Sequence, residues 1–205
     1  MQLIYRDTNI IKTRIKKMKE IGVNSFIIND KALKYLNINN VLFNIMKEYS
    51  DKNTFIDGIE RLDLSNSLID GVMEWNLLSN FKDLKQLSLH NNKFTSHNDE
   101  INWNLLPDSL EILDLSKNMN LKGKIIWNEL PKNLQVLDIS ETKIICEITE
   151  IDWIEIDKTN LIDICVSYDK FNQIPPSFLN DPLPLNWSRK MVKNNICFVK
   201  DYKVI

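Results

Sequence analysis

The chain has 205 residues, of which 43% are hydrophobic and 26% charged, and its formal net charge is −2. This composition is that of one ordinary globular domain and excludes a disordered or fibrous chain. No run of about 18 apolar residues occurs, and charges interrupt the first twenty positions, so we expect neither a membrane span nor a secretory signal. Cys146, Cys165 and Cys197 form no CxxC pair, which indicates a reducing compartment and gives no zinc or redox signature. We therefore expect an intracellular, cytoplasmic protein.

The small net charge conceals an uneven distribution along the chain. Residues 51–182 hold 12 Lys and Arg against 23 Asp and Glu, a balance of −11, whereas the two flanks hold 14 against 5, a balance of +9. An acidic middle between basic ends affects which partners each part can attract.

The first predicted element is an amphipathic helix over residues 8–21. Thr8 can cap it, Ile11 and Ile15 recur at helical spacing, and Gly22 ends it. Its outer side carries a basic patch, which is either a solvated helix face or a docking patch for phosphates or an acidic partner. The patch consists of Lys12, Arg14, Lys16, Lys17 and Lys19.

A motif with the pattern LxxLxLxxN then recurs along the chain. It starts at Ile59, Leu84, Leu110, Leu134 and, more weakly, Leu161, at distances of 25, 26, 24 and 27 residues. Alternating apolar residues face one way in a strand, and one short strand cannot bury its apolar face alone. Stacked copies therefore predict a parallel sheet with a shared core.

Two further positions keep the same phase as the strands. The ninth position holds Asn92 and Asn118, whose amides are expected to satisfy backbone groups in the turn; Ser67, Thr142 and Asp169 keep an oxygen there. A tryptophan follows each of the first four starts by 16 to 19 residues and is expected to line the convex side of the core, with Trp103 and Trp127 largely buried. The column comprises Trp75, Trp103, Trp127 and Trp153.

A degenerate copy of the motif stands 26 residues ahead of the first clear one, at Leu33, Leu36, Ile38 and Phe43. Its asparagine is displaced by one position. A helix through residues 31–49 explains the same residues, and the sequence leaves both interpretations open.

On this motif the chain resembles a leucine-rich-repeat protein over roughly residues 59–171. The long repeats of 24–27 residues resemble the plant-type subclass, although Ile126 stands where that subclass has proline, so no receptor role is carried over. The resemblance implies an α/β solenoid: a right-handed arc with a parallel concave sheet, an irregular or 3₁₀ convex side and a helical N-terminal cap. The expected division is residues 1–58 as the N-terminal cap with a possible degenerate first repeat, 59–172 as the repeats and 173–205 as the C-terminal cap.

The positions between the buried leucines form the predicted concave surface, which is polar and leans acidic. Repeat proteins use such an extended face to hold partners, and the resemblance implies the same here. The residues expected to bind a protein partner are Glu60, Arg61, Asp63, Lys85, Gln86, Ser88, His90, Glu111, Asp114, Gln135, Asp138 and Asp163.

The predicted function is a protein–protein interaction or scaffold module within a larger assembly, with no cofactor, metal or small-molecule substrate. Ser88, His90 and Asp114 should lie close together, but duplication of Leu-Asp-Leu-Ser explains these columns, and an open sheet offers no oxyanion hole. We therefore expect no enzyme. The alternative is a component of a ribonucleoprotein or other anionic complex, with nucleic acid held only by the basic N- and C-terminal segments.

Overall fold

A computed structural model of the chain describes residues 11, 13, 15–17, 20, 21, 25–27, 37–49, 58–146, 156, 159–167, 183, 187–192 and 195–200. The strands within these residues are short, and most of them belong to one main sheet. In chain order they are β1 (Ser25–Ile27), β2 (Arg61–Asp63), β3 (Val72–Met73), β4 (Gln86–Ser88), β5 (Thr95–Ser96), β6 (Ile112–Asp114), β7 (Lys122–Lys124), β8 (Val136–Asp138), β9 (Lys143–Ile145), β10 (Asp163–Ser167), β11 (Trp187–Val192) and β12 (Asn195–Lys200).

The main sheet contains eight strands in the order β1-β2-β4-β6-β8-β10-β12-β11. The first six are parallel, and β12 and β11 form an antiparallel hairpin that pairs with β10. The five copies of the motif predict parallel strands at β2, β4, β6, β8 and β10, and the structure confirms these strands. The fold is α/β with a mostly parallel sheet.

The connections between successive main-sheet strands contain small elements. Strand β3 pairs with β5, and β7 pairs with β9, each in parallel. The helix α1 (Ile38–Tyr49) precedes β2 in the chain. Short 3₁₀ segments occur at Trp75–Asn80, His97–Asp99, Trp103–Leu105 and Trp127–Glu129. These pieces match the expectation of an irregular or 3₁₀ side opposite the repeated strands.

The alternating apolar residues of the motif form the core, as the period of two predicts. The apolar residue at the fourth motif position of each repeated strand is in register with its neighbours, and all five are at most 1% exposed. Burial of one such side chain stabilises the fold by about 1.5–3 kcal/mol. These residues are Leu62, Leu87, Leu113, Leu137 and Ile164.

The asparagines at the ninth motif position bind backbone groups of their own repeat and of the preceding one. Asn118 Nδ2 donates to the carbonyls of Leu115 at 2.7 Å and Leu89 at 3.0 Å. Asn118 Oδ1 accepts the N–H of Asn92 at 3.1 Å. Thr142, which replaces asparagine one repeat later, donates its hydroxyl to the carbonyl of Ile139 and accepts the N–H of Ile144, so both of these bonds lie within its own repeat. The predicted role is confirmed for Asn92 and Asn118, whereas Asp169 lies outside the described residues.

The tryptophan column is buried at two of the predicted positions. Trp75 is 2% exposed and Trp103 is fully buried, with Nε1 of Trp103 donating to the carbonyl of Lys124 at 2.8 Å. Trp127 packs against the core but is only partly buried, so it is less enclosed than Trp103. Trp153 lies outside the described residues.

At the N-terminal side, the main sheet continues into a strand that the sequence did not predict. Strand β1 pairs with β2 and buries Phe26 opposite Leu62. Ile38 begins helix α1, so the helical interpretation holds from that residue onward, while Leu33 and Leu36 lie outside the described residues. Residues 11, 13, 15–17, 20 and 21 are helical as expected, with Ile11 and Ile15 buried. In the described part of the chain, no helix is long and apolar enough to cross a membrane.

The C-terminal hairpin brings two of the three cysteines together. Cys197 of β12 lies directly opposite Cys165 of β10, with the two Cα atoms 4.2 Å apart, and the two residues form a disulfide. Cys146 is buried and takes no part in this disulfide. The expectation that the cysteines carry no redox signature is therefore corrected. The sequence separation of 32 residues between Cys165 and Cys197 does not predict the disulfide, because the two residues meet only where β12 returns antiparallel to β10.

Candidate functional site

The predicted partner-binding residues come together on the outer face of the main sheet, which we call the open face. The strand register aligns two columns of side chains across it. The first column contains Asp63, Ser88, Asp114, Asp138 and Cys165, and the second contains Arg61, Gln86, Ile112, Val136 and Asp163. Neighbouring strands lie about 4.8 Å apart, so successive members of a column are near neighbours.

Three aspartates of the first column also hold the turns that follow their strands. In each case one carboxylate oxygen accepts the N–H of the serine two residues later: Ser65 to Asp63 at 3.1 Å, Ser116 to Asp114 at 3.0 Å and Ser140 to Asp138 at 2.9 Å. This is an Asx turn, in which a side chain replaces a backbone acceptor. The recurring Asp-x-Ser pattern was the available signal for this structural role.

Ion pairs on the open face neutralise part of its charge within the protein. Arg61 lies 3.5 Å from the carboxylate of Asp63, and Lys85 Nζ lies 3.4 Å from Glu60. Exposed pairs of this kind contribute about 0–1 kcal/mol and exchange partners readily. Both cations can therefore be redirected towards a partner.

His90 contacts the serine of the following repeat instead of Ser88. Its Nδ1 lies 2.7 Å from Ser116 Oγ, and that hydroxyl donates to Asp114 Oδ1 at 2.5 Å. A hydroxyl has one proton, so the proton between Nδ1 and Oγ belongs to the imidazole. The Ser116 side chain is thus bound on both sides and only 2% exposed. The arrangement in a catalytic triad is different. There the serine hydroxyl donates its proton to one ring nitrogen of the histidine, and the carboxylate of the aspartate binds the other ring nitrogen.

Burial raises the pKa of Asp138 above its ordinary value of 3.8. Hydrogen bonds from Ser140 oppose this shift, the nearby carboxylate of Asp114 adds to it, and His90 opposes it. A raised carboxyl pKa means that the folded protein holds this proton more tightly than the unfolded chain does.

We expect Asp138→Asn to stabilise the protein increasingly as the pH rises. Asparagine keeps an oxygen for the Ser140 N–H but has no charge to desolvate. In the wild type, the stability contributed by protonated Asp138 is present below 3.8 and is lost as the pH rises through the raised pKa. Urea unfolding at about pH 3.5 and about pH 7 measures the difference between variant and wild type. A difference that is constant, or that favours the variant more in acid, contradicts the prediction.

The open face also has an apolar centre that the predicted binding set omits. Ile112 and Val136 are register partners on β6 and β8, and both are only partly buried. Polar or charged side chains border them at Gln86, Asp163, Asp114 and Asp138 and at positions 111 and 135, while Ile162 and Cys165 lie on the side of β10. Their apolar character at outward-facing strand positions was the sequence signal for this centre.

The basic patch near the N-terminus is described at only two of its predicted residues. Lys16 and Lys17 are exposed, and Lys16 Nζ lies 4.0 Å from the carboxylate of Glu20. Lys12, Arg14 and Lys19 lie outside the described residues. The five-residue basic patch therefore stays a prediction.

The open face provides an extended surface of charge around a small apolar centre. Such a surface can hold another macromolecule through many modest contacts. Within the described residues, no three His, Cys, Asp or Glu side chains are arranged to hold a metal ion. Comparison of this chain with protein-family models, with curated proteins and with solved structures finds no match.

Proposed function

We propose that the chain is a leucine-rich-repeat solenoid that serves as a protein–protein interaction or scaffold module, and that its open face binds a protein partner within a larger assembly. The in-phase strands and the asparagine bonds between repeats support the repeat assignment. Such stacking gives an extended surface whose composition can vary without loss of the core.

The observation that carries the proposal is the apolar pair Ile112 and Val136 at the middle of a charged face. Protein interfaces typically have an apolar centre that loses its water and a polar rim that remains solvated. A partner that covers this pair also removes its apolar area from water, at about 25 cal/mol per Å².

The charge of the open face favours a partner with basic groups. The predicted binding set contains six acids and two bases, and both bases already pair with acids of the face. Phosphates placed along this surface would meet the carboxylates of Asp63, Asp114 and Asp138. A basic protein surface fits it better than nucleic acid does.

The experiment introduces positive charge on the open face at side chains that, unlike those of the three aspartates, do not form a turn with the backbone. We expect Glu111→Lys with Gln135→Lys to weaken partner binding at least about tenfold, because like charges across an interface cost several kcal/mol. Surface changes leave the free energy of unfolding within about 0.5 kcal/mol. The measurement is the amount of each protein retained from a native lysate by wild type and variant, together with their thermal midpoints.

Two controls accompany this experiment. Ile112→Ser with Val136→Ser tests the apolar centre and should release the same proteins. Lys16→Glu with Lys17→Glu tests the alternative of an anionic partner at the basic patch. If the lysine reversals release the partner and the open-face variants retain it, the open face is not the site. Lysine at Asp114 or Asp138 is avoided because it would also break the bonds to Ser116 and Ser140.

A further inference from the structure

The disulfide between Cys165 and Cys197 lies on the open face, at the end of its first column. Cys165 is the register partner of Asp138 on β8 and of Cys197 on β12. It is partly exposed, whereas Cys197 is 7% exposed. The bond therefore lies at the surface of the sheet, on the face opposite the apolar core.

The two cysteines form a non-hydrogen-bonded pair of the antiparallel ladder. The N–H of Lys200 donates to the carbonyl of Ile162 at 2.7 Å, so these two residues are a hydrogen-bonded pair. The two kinds of pair alternate along antiparallel strands, and Cys165 stands three positions further along β10. Its Cα atom is 4.2 Å from that of Cys197, close to the spacing of about 4.5 Å that such pairs have. At this place the disulfide is what links the two strands.

This link joins the terminal hairpin to the last repeated strand. Ile196 and Phe198 of β12 are at most 1% exposed and lie opposite Val166 and Ile164 of β10. Strand β12 thus continues the apolar core beyond the last repeat. A stack of repeats needs a cap at its end, because the terminal unit otherwise exposes core residues. The docked hairpin acts as this cap.

The disulfide favours docking by restricting the undocked chain. It joins residues that are 32 positions apart in the sequence. Closing a loop of this length raises the docking equilibrium about 30- to 1000-fold. Without the covalent bond, the hairpin depends on the backbone pairing with β10 and on its two buried apolar side chains. The earlier strands of the sheet do not belong to this loop and keep their own neighbours.

We propose that Cys165 and Cys197 form a reversible redox switch, in which a dithiol reductant opens the disulfide in the folded protein and lets the terminal hairpin undock from β10. Because the switch concerns the docking of the hairpin and not the binding of a partner, it does not rest on the proposed function. The two proposals can therefore fail independently.

The chemistry is thiol–disulfide exchange, which balances without a further reactant. One thiolate of the reductant attacks Sγ of Cys165, the more exposed cysteine. The bond between the two protein sulfurs breaks, and Cys197 leaves as a thiolate that takes up a proton. The second thiolate of the reductant attacks the mixed disulfide and releases Cys165, which is protonated in turn. Two electrons pass to the protein, and the dithiol becomes a disulfide.

The first experiment tests whether the reductant opens the bond in the folded protein. Oxidised full-length protein is treated with dithiothreitol under native conditions, new thiols are trapped with iodoacetamide, and mass spectrometry measures the label on Cys165 and Cys197. Trp103→Phe removes a buried hydrogen bond in an earlier repeat and so lowers global stability. We expect this variant to be reduced at the rate of the wild type. If it is reduced about 2- to 10-fold faster, or if neither protein is reduced until urea unfolds it, attack requires global unfolding and the proposal is overturned.

The second experiment follows the hairpin by amide hydrogen exchange. We expect reduction to accelerate exchange in β12 about 30- to 1000-fold and to leave β4 and β6 unchanged. Cys165→Ser with Cys197→Ser should match the reduced wild type even under oxidising conditions. The control Cys146→Ala retains the disulfide and should respond to dithiothreitol as the wild type does. Equal acceleration in all strands, or none in β12, overturns the proposal, because reduction would then destabilise the whole protein or leave the hairpin docked.

Discussion

Trp103→Ala is expected to lower the free energy of unfolding by about 3–5 kcal/mol, since large aromatic side chains in a closed core leave a cavity when truncated. Trp103 is fully buried, and the variant also loses the hydrogen bond from Nε1 to the carbonyl of Lys124. An ordinary domain is stable by only about 5–15 kcal/mol, so this loss is a large share of the total. Urea unfolding followed by circular dichroism measures it.

Two substitutions serve as controls for Trp103→Ala. Trp103→Phe retains most of the apolar volume and removes the N–H, so it isolates the hydrogen bond, which is worth about 0.5–1.5 kcal/mol. Trp127→Ala truncates the same side chain at a partly exposed position and should cost clearly less than Trp103→Ala. Equal losses at positions 103 and 127 would contradict the burial that distinguishes the two tryptophans.

The repeated strands could be predicted from the sequence because their signal is redundant. Each copy supplies apolar residues at period two, and five copies in phase support the same register. Leu62, Leu87 and Leu113 occupy the positions that this pattern requires, with the asparagines Asn92 and Asn118 bound as expected. Local pattern and long-range packing agree here, so short-range reasoning is sufficient.

Strand β1 and the terminal hairpin could not be predicted in the same way. Strand β1 has three residues and presents a single buried side chain, Phe26, to the core. Its pairing with β2 depends on the fold as a whole, so no periodic pattern in the sequence predicts it. The same holds for Cys165 and Cys197, which meet only because β12 returns antiparallel to β10.

The turns after the strands show why residue preferences alone do not predict the backbone conformation. The residue before the ninth motif position has a left-handed backbone in four repeats: Asn66, Asn91, Lys117 and Glu141, with φ of 56°, 53°, 57° and 54°. Asparagine tolerates this region, whereas Lys and Glu seldom adopt it. The N–H of Lys117 is bound to the carbonyl of Ser140 in the next repeat at 2.8 Å, which offsets the local cost.

The candidate site was predictable as a surface but not in its contacts. The alternation places the twelve predicted residues on the open face, because residues between buried leucines must point away from the core. It does not reveal that Asp63, Asp114 and Asp138 hold turns, nor that His90 contacts Ser116.

Asn118→Ala is expected to lower the free energy of unfolding by about 3 kcal/mol or more. The side chain is fully buried, and its loss leaves the carbonyl of Leu115 and the N–H of Asn92 without these partners inside the protein. Each buried group left unsatisfied costs about 1–3 kcal/mol. The matched control is Asn133→Ala, which removes an exposed bond to the carbonyl of Asp108 and should cost about 1 kcal/mol or less.

Asn118→Thr separates the bonds within a repeat from those between repeats. Thr142 shows that threonine at this position can donate to the carbonyl three residues earlier and accept the N–H two residues later. Threonine at 118 can therefore replace the bond to Leu115 but does not reach Leu89 of the preceding repeat, which the asparagine amide binds at 3.0 Å. We expect the free energy of unfolding of Asn118→Thr to lie between those of wild type and Asn118→Ala. Urea unfolding of all three proteins measures it. If Asn118→Thr is as stable as wild type, the bonds between repeats contribute nothing to stability, and stacking of the apolar residues alone couples one repeat to the next.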